Sequence, residues 1–237
     1  MPDTELQQQR IRLALAGCAK AFASPLYVGR PNIGNREQLH AMLDDMLDRR
    51  WLSNNGRYVQ GFERRVSDLL GVPYAVAFCN ATVALECAAR ALGLSGEVIV
   101  PSYTFIATVH SLQLQGLTPV FCDIEPSTHC LDPDRAESLI TSRTSAISAV
   151  HLWGCPCAID RLQDIATRHG LTLLFDAAHA FGASYQGRMI GNFGDAEIFS
   201  FHATKFMNSF EGGMVTTHND ELAARLRLMK NFGFNGE

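Results

Sequence analysis

Two residues in the second half of the chain could do chemistry together. Asp176 ends the apolar run Leu171–Phe175, and Lys205 closely follows the apolar run Ala196–Phe201. Both runs have the length and content of buried strands. In an open α/β sheet, ligands bind outside the carboxyl ends of the strands, so the acid and the amine should face one crevice. A carboxylate ending a buried strand is costly unless paired, and a protonated pyridine-type nitrogen is a suitable partner. An apolar setting lowers a lysine pKa and frees its amine as a nucleophile. An acid for a pyridine nitrogen and a lysine able to form a Schiff base are the minimal kit for pyridoxal phosphate chemistry. Lys205 is the sole lysine between Lys20 and Lys230, so no other central residue offers that amine. Taken singly, each residue has a plainer reading: Asp176 as half of an ion pair with an arginine, Lys205 as a surface lysine whose stem packs on the protein.

Further polar residues fall near strand ends. His179 lies three residues after Asp176 and could orient it or reach a ring hydroxyl; otherwise it is a core histidine with its hydrogen bonds satisfied. Ser200, His202 and Thr204 accompany Lys205. Cys79-Asn-Ala-Thr-Val83 joins a strand to a helix, where small and polar residues let backbone N–H groups approach an anion. Thr82 adds a hydroxyl, although an ordinary helix cap is the simpler reading of this stretch. Pro101-Ser-Tyr-Thr-Phe105 puts Phe105 where its ring could stack on a planar cofactor, while core packing is the commoner fate of a phenylalanine. Glu211-Gly-Gly213 is a flexible turn. Neither GxGxxG nor GxxxxGK[ST] occurs, so dinucleotide and P-loop sites lack their motifs.

The elements that must position these residues alternate from Val72 onward. Besides the two strands above, strands are predicted at Tyr74–Phe78, Val98–Val100, Pro119–Ile124, Ala146–Trp153 and Met214–Thr217. Helices are predicted at Thr82–Leu92, Phe105–Leu114, Asp132–Ile140, Ile159–His169 and Asp220–Met229. Short strands alternating with longer helices argue for βαβ units and a mostly parallel sheet. Before Val72, helical patterns run over Ile11–Phe22, Arg36–Leu52 and Val59–Leu70, broken by Ser24-Pro25, Gly29–Gly34 and Asn54-Asn55-Gly56.

With 237 residues, 47% of them hydrophobic, and a formal net charge of −4, the composition is that of a soluble globular protein with one large α/β domain or two small ones. The mild negative charge gives no support to nucleic acid binding. No apolar run approaches the roughly 20 residues that span a bilayer, and acids and glutamines at the N-terminus do not make a signal peptide. The seven cysteines are odd in number and mostly lie in apolar runs, which suits reduced thiols in a cytoplasmic protein. Cys155-Pro156-Cys157 is the one close pair, and its spacing matches neither the usual zinc pattern nor C-x-x-C.

Individually these signals are weak, but their order is specific. A phosphate loop, a stacking aromatic, a strand-end Asp-x-x-His, then Ser-x-x-x-x-Lys and an acid-Gly-Gly turn follow the order of the type I pyridoxal phosphate fold. In detail the chain resembles the sugar aminotransferases of the DegT/DnrJ/EryC1/StrS family, from about Gly29 onward. The matching features are Trp51-Leu-Ser-Asn-Asn-Gly56, Asn80-Ala-Thr82, Val100-Pro-Ser-Tyr-Thr-Phe105, Pro119-Val-Phe-Cys-Asp123, Asp176-Ala-Ala-His179, Gly191-Asn-Phe-Gly-Asp195 and Ser200-Phe-His-Ala-Thr-Lys205.

The resemblance implies an α/β fold, a three-layer αβα sandwich around a mostly parallel mixed sheet. Residues 31–237 would be the pyridoxal phosphate-binding large domain and residues 1–30 an N-terminal extension. It further implies that Lys205 holds the cofactor and shuttles the proton, Asp176 pairs with the pyridine nitrogen, and Phe105 stacks on the ring. Thr82, Val83 and Ser200 would hold the phosphate, with His179 by the ring hydroxyl. The implied reaction moves an amino group from an amino acid, usually glutamate, to a keto group of a nucleotide-linked sugar, in a cytoplasmic homodimer serving polysaccharide biosynthesis. No metal, nucleic acid or membrane enters. A dehydrating branch of the family has histidine in place of the lysine, so Lys205 points to transamination. Ala81 stands where many members have glycine, and Ala203 where many have proline. The family continues past this point with a segment that reaches the partner subunit's site and a small C-terminal domain. The expectation is therefore a fragment, or a truncated remnant that keeps the fold and acts only in binding or assembly.

Overall fold

A computed structural model of the chain describes Gly17, residues 22–27 and residues 29–234. The chain divides into two compact units, residues 1–30 and 31–237, and every element named below belongs to the second. The helix predicted at Ile11–Phe22 lies, but for Gly17 and Phe22, outside the described residues.

Helix α1 (Arg36–Arg49) is capped by Asn35, whose side chain accepts the Gln38 N–H, and stops where Arg50 turns left-handed. That turn ends it short of the predicted Leu52. Helix α2 (Arg57–Leu70) follows and ends at Gly71, which takes φ 68°. The alternation then begins: β1 (Tyr74–Phe78), α3 (Ala81–Ala91), β2 (Glu97–Pro101), α4 (Ile106–Leu114), β3 (Thr118–Cys122), α5 (Pro133–Ser138), β4 (Thr144–Val150), α6 (Ile159–His169) and β5 (Thr172–Asp176). A short hairpin, β6 (Ser184–Tyr185) with β7 (Arg188–Met189), precedes β8 (Ala196–Ser200), β9 (Gly213–Thr217) and α7 (Asp220–Lys230).

Seven strands form one sheet in the order β1-β9-β8-β5-β4-β2-β3. The run from β8 through β5, β4 and β2 to β3 is parallel, and β9 pairs antiparallel with both β8 and β1. Such a sheet must be covered on both faces, which is why its strands read as continuous apolar runs. Alternate residues feed two cores. Leu173, Phe175, Phe199 and Met214 pack with α2, α5 and α6 on one face, while Leu174, Ile198 and Val215 pack with α3 and α7 on the other. Helix α4 joins that second layer through Val109 and Leu112, against Val98, Val100 and Ala146. The result is a three-layer αβα sandwich.

Two differences from the sequence reading matter for the site. The strand predicted to reach Trp153 stops at Val150, and Leu152–Gly154 becomes a 3₁₀ turn in which Trp153 takes φ 52° and ψ 26°. A bulky residue in that region is costly, so tertiary contacts must hold it there. The β6–β7 hairpin lacked any apolar alternation to reveal it, being only two residues a side.

Candidate active site

The carboxyl ends of β1, β4, β5 and β8 and the start of α4 surround a cleft of about 470 Å³. Of the residues singled out from the sequence, Thr82, Phe105, Asp176, His179, Ser200 and Lys205 all line it. Val83 does not.

Asp176 is the last residue of β5 and only 5% exposed. Its Oδ2 accepts from Thr108 Oγ1 at 2.7 Å and its Oδ1 from the Ala178 N–H at 3.0 Å. Thr108 sits one turn into α4, and its hydroxyl in turn meets Thr104 Oγ1 at 2.9 Å. Since Thr108 spends its proton on the acid, Thr104 is the donor of that second bond. No ion pair among the described residues includes Asp176, whose protein partners are neutral donors.

Across the cleft, Lys205 lies half-buried in the loop between β8 and β9. Burial lowers its pKa from the usual lysine range, and the Asp176 charge partly opposes that shift. The loop is closed at both ends: the Phe201 N–H donates to Gly212 O at 2.8 Å, and the Ser209 N–H to Phe201 O at 2.9 Å. Within it, the Lys205 N–H donates to His202 O, and the His202 ring bridges Thr204 Oγ1 at 2.8 Å and Glu211 Oε1 at 3.3 Å. Asn32 clamps the loop from outside, its side-chain N–H donating to Phe206 O at 2.7 Å while it accepts from Asn208.

His179 stands between the two. Partial burial and the Lys205 charge push its pKa down, against Asp176. The Trp153 N–H donates to His179 Nδ1 at 3.3 Å. Nδ1 is then an acceptor, so the neutral ring carries its proton on Nε2. The left-handed backbone at Trp153 is what aims that N–H.

At the far end, Asn80 caps α3: its Oδ1 accepts the Val83 N–H at 2.9 Å. The Val83 N–H is thus already engaged, and the Val83 side chain packs into the core beside β1. This leaves the Thr82 N–H and hydroxyl at the helix start, facing Ser200 at the end of β8. Gly213 shapes this end, because a Cβ there would overlap the Asn80 carbonyl and the Ala81 nitrogen. Phe105, at the start of α4, is 70% exposed and forms the rim.

Sequence reasoning missed Thr108, the Asn32 clamp and the Trp153 N–H. Thr104 lies just before α4 and Thr108 in its first turn, four residues on, a spacing the sequence shows. The other two are long-range or backbone contacts with no sequence mark.

Residues 34–237 match the model of the DegT/DnrJ/EryC1/StrS aminotransferase family. The GDP-perosamine synthase of Caulobacter vibrioides is 41% identical over 210 residues, 88% of this chain and 56% of its own. The solved structure of DesI with its TDP-sugar product is 56% identical with a TM-score of 0.90, covering 95% of this chain and 58% of that one. The sugar aminotransferase Spr1654 of Streptococcus pneumoniae, in its PLP form, is 29% identical with a TM-score of 0.82, covering 90% and 60%. The chain therefore spans a little over half the length of the relatives it matches.

Proposed function

Because the chain belongs to the DegT/DnrJ/EryC1/StrS aminotransferase family, we propose that residues 31–237 are the cofactor-binding domain of a pyridoxal phosphate-dependent aminotransferase, with residues 1–30 as an N-terminal extension. The acceptor is the keto group of a nucleotide-linked sugar, and the donor an amino acid, glutamate by resemblance. Two similar proteins bear names with GDP- and TDP-linked sugars, which supports the acceptor class.

One observation carries this reading. Asp176 is a buried carboxylate held only by neutral donors, facing an amine across a cleft. A buried acid of that kind needs a cationic partner, and a ring nitrogen that carries a proton supplies one. The donor set fits the rest of pyridoxal phosphate as well, with an open helix start at Thr82 and a flat aromatic at Phe105.

When bound, the cofactor supplies an electron sink for the electron pair left at the amino acid's α-carbon. Asp176 holds the ring nitrogen, with Thr108 and the Ala178 N–H fixing the plane of its carboxylate. His179 offers Nε2–H to the ring hydroxyl. Phe105 covers one face of the ring. Thr82 and Ser200 hold the phosphate, and Val83 contributes through the shape of the helix start, its own N–H remaining on Asn80. Lys205 Nζ would hold the cofactor by its aldehyde carbon and would serve as the base for the amino acid's α-proton, a task its lowered pKa suits.

Phe105, Ile106, Phe206 and Phe210 are exposed around the cleft, a rim that a second copy of the chain would cover as a homodimer. The described residues include no helix long and apolar enough to cross a membrane. With its free thiols, the protein suits the reducing cytoplasm.

The test is borohydride reduction of the protein loaded with pyridoxal phosphate, followed by peptide mapping. The phosphopyridoxyl group should be found on Lys205 and be lost in Lys205→Ala. A label on Lys20 or Lys230 would overturn the assignment.

A further inference from the structure

The 3₁₀ turn at Leu152–Gly154 meets His179 at two points. The Trp153 N–H donates to the His179 ring at Nδ1, 3.3 Å away. A Cβ on Gly154 would stand 3.2 Å from the His179 carbonyl oxygen, so the turn runs close against that residue. Both contacts depend on left-handed backbone, with φ 52° at Trp153 and 84° at Gly154. Glycine adopts this region freely, whereas a bulky residue does not. Burial does not hold Trp153 there, because the residue is 67% exposed.

What does meet the indole is a pair of rings from two other loops. Tyr103 lies edge-on to Trp153, with ring centres 5.8 Å apart and planes at 86°. His129 lies 5.9 Å from Trp153 at 61°, and Tyr103 and His129 are 6.1 Å apart at 63°. The three rings close a triangle of edge-to-face contacts, the arrangement that aromatic quadrupoles favour. His129 stands on a closed turn. Its own backbone is left-handed at φ 59°, its N–H donates to Glu125 O at 2.8 Å, and the Glu125 N–H donates to Cys130 O at 2.9 Å. Tyr103 follows Ser102, whose N–H is tied to Cys122 O at 2.8 Å. Two anchored loops thus grip the side chain of a residue whose backbone is strained.

We propose that Tyr103 and His129 are positioning residues that hold Trp153 left-handed and thereby keep the His179 proton on Nε2. This rests on the reading of the cleft as a pyridoxal phosphate site, where Nε2–H serves the ring hydroxyl. Two tautomers of the neutral imidazole compete. With the proton on Nδ1, donor would face donor at the Trp153 N–H. With the proton on Nε2, Nδ1 presents a lone pair to that N–H. The imidazolium would lose the same contact, and burial and the Lys205 charge already disfavour it. If Trp153 relaxes to the right-handed region, its N–H swings away and nothing imposes the choice of tautomer.

The segment Tyr103–Thr108 then sets both polar ends of the site. Tyr103 acts through Trp153 on His179. Thr108, with Thr104 behind it, donates to Asp176 Oδ2. Phe105 lies between them on the rim. Asp176 ends β5 and His179 follows three residues on, so one loop from the neighbouring part of the sheet orients two groups delivered by the same strand.

The test reads the tautomer in the cofactor-free 237-residue protein, so it does not depend on transamination. Long-range proton–nitrogen spectra of histidine-labelled protein near neutral pH separate the two forms of a neutral ring. His179→Gln identifies the His179 signals among the eight histidines. In the parent, Nδ1 should be bare and Nε2 protonated. Tyr103→Ala should raise the share of the Nδ1–H form about fivefold, the factor that one net hydrogen bond supplies. His129→Asn, which removes the ring but tolerates the left-handed backbone, should do the same. Tyr103→Phe keeps the ring and should restore the parental ratio. With Trp51→Phe added, Trp153 is the only tryptophan, and its fluorescence should shift in Tyr103→Ala but not in Tyr103→Phe. A parent with the proton on Nδ1, a ratio unchanged in both ring-removing variants, or Tyr103→Phe behaving as Tyr103→Ala would each overturn the proposal. Failure of pyridoxal phosphate to label Lys205, alongside the expected tautomer shifts, would refute the cofactor reading and support the clamp.

Discussion

Replacing Thr108 by valine removes one oxygen from the cleft and keeps the branched shape. The lost hydroxyl is the 2.7 Å donor to Asp176 Oδ2. Hydrogen bonds to a charged group contribute about 1.5–3 kcal/mol, and Thr108 is itself fully buried, so the Oδ2 that faces it gains no ready substitute donor. Thr104 loses its acceptor in the same change, but its side chain is only partly buried and can turn to water. For a domain of this size each kcal/mol shifts Tm by about 2–4 °C, so a loss near 2 kcal/mol lowers Tm by about 4–8 °C. The assay is thermal unfolding of the cofactor-free protein, with Thr108→Ser as control. Serine keeps the hydroxyl and loses a methyl group, a change worth about 0.8 kcal/mol. Valine should therefore be the more damaging of the two, although it is the better space-filler. If valine is neutral and serine destabilises, Thr108 is a packing residue and the acid is held by other means.

Phe105→Ala should leave the Tm of the cofactor-free protein nearly unchanged, because the ring is already 70% exposed. Pyridoxal phosphate retention should fall about fivefold, the equivalent of a stacking contact near 1 kcal/mol; equal losses in both forms would mark plain packing. Gly213→Ala should weaken phosphate binding and lower Tm together, since the added methyl group must displace the Asn80–Ala81 backbone; inorganic phosphate titration and thermal unfolding read the two effects. Lys205→Met should abolish cofactor capture yet raise the Tm of the cofactor-free protein at neutral pH. Folding lowers the lysine pKa from 10.5, so the unfolded chain binds more protons and the native protein gains stability as pH rises through that window; the advantage of methionine should shrink towards pH 10.5 and vanish above it.

Strand identity was legible wherever both faces are buried, because β5 reads as an apolar run with a polar residue at its end and β8 as one broken only by Glu197. Asp176 and Lys205 could be found for the same reason: each interrupts a run at the edge that a parallel sheet turns towards its ligand. The boundary error at β4 arose because Leu152 and Trp153 extend the apolar pattern past Val150, while the chain turns there on a left-handed tryptophan that no propensity favours. Val83 was named with Thr82 by position in a motif, and the Asn80 cap, a contact three residues long, decides which of their N–H groups is free. The Asn32 clamp joins positions 174 residues apart, beyond anything a local pattern can carry.

The Gly191–Asp195 stretch, which matched the family without an evident role, explains how the acid and the lysine come to oppose each other. Strands β5 and β8 pair directly, with Asp176 opposite Ile198. Side chains alternate between faces, so a slip of one residue would turn Asp176 away from α4 and into the other layer. Two carboxylates fix the register against that slip. Asp195 accepts the Leu173 N–H at 2.8 Å, locking the start of β5 to the start of β8. Glu197, fully buried, accepts the N–H groups of Gly191 and Phe193. It also faces His151 Nε2 at 3.0 Å. His151 Nδ1 is occupied by the Cys157 N–H, so Nε2 is the donor, and its ring stacks on Phe175 at 4.6 Å. The network therefore joins the ends of β4, β5 and β8 from the face opposite the cleft. A buried polar cluster of this kind contributes more to placing strands than to net stability. It is the reason a cofactor site can be assembled from residues on separate strands, none of which touches the next in sequence.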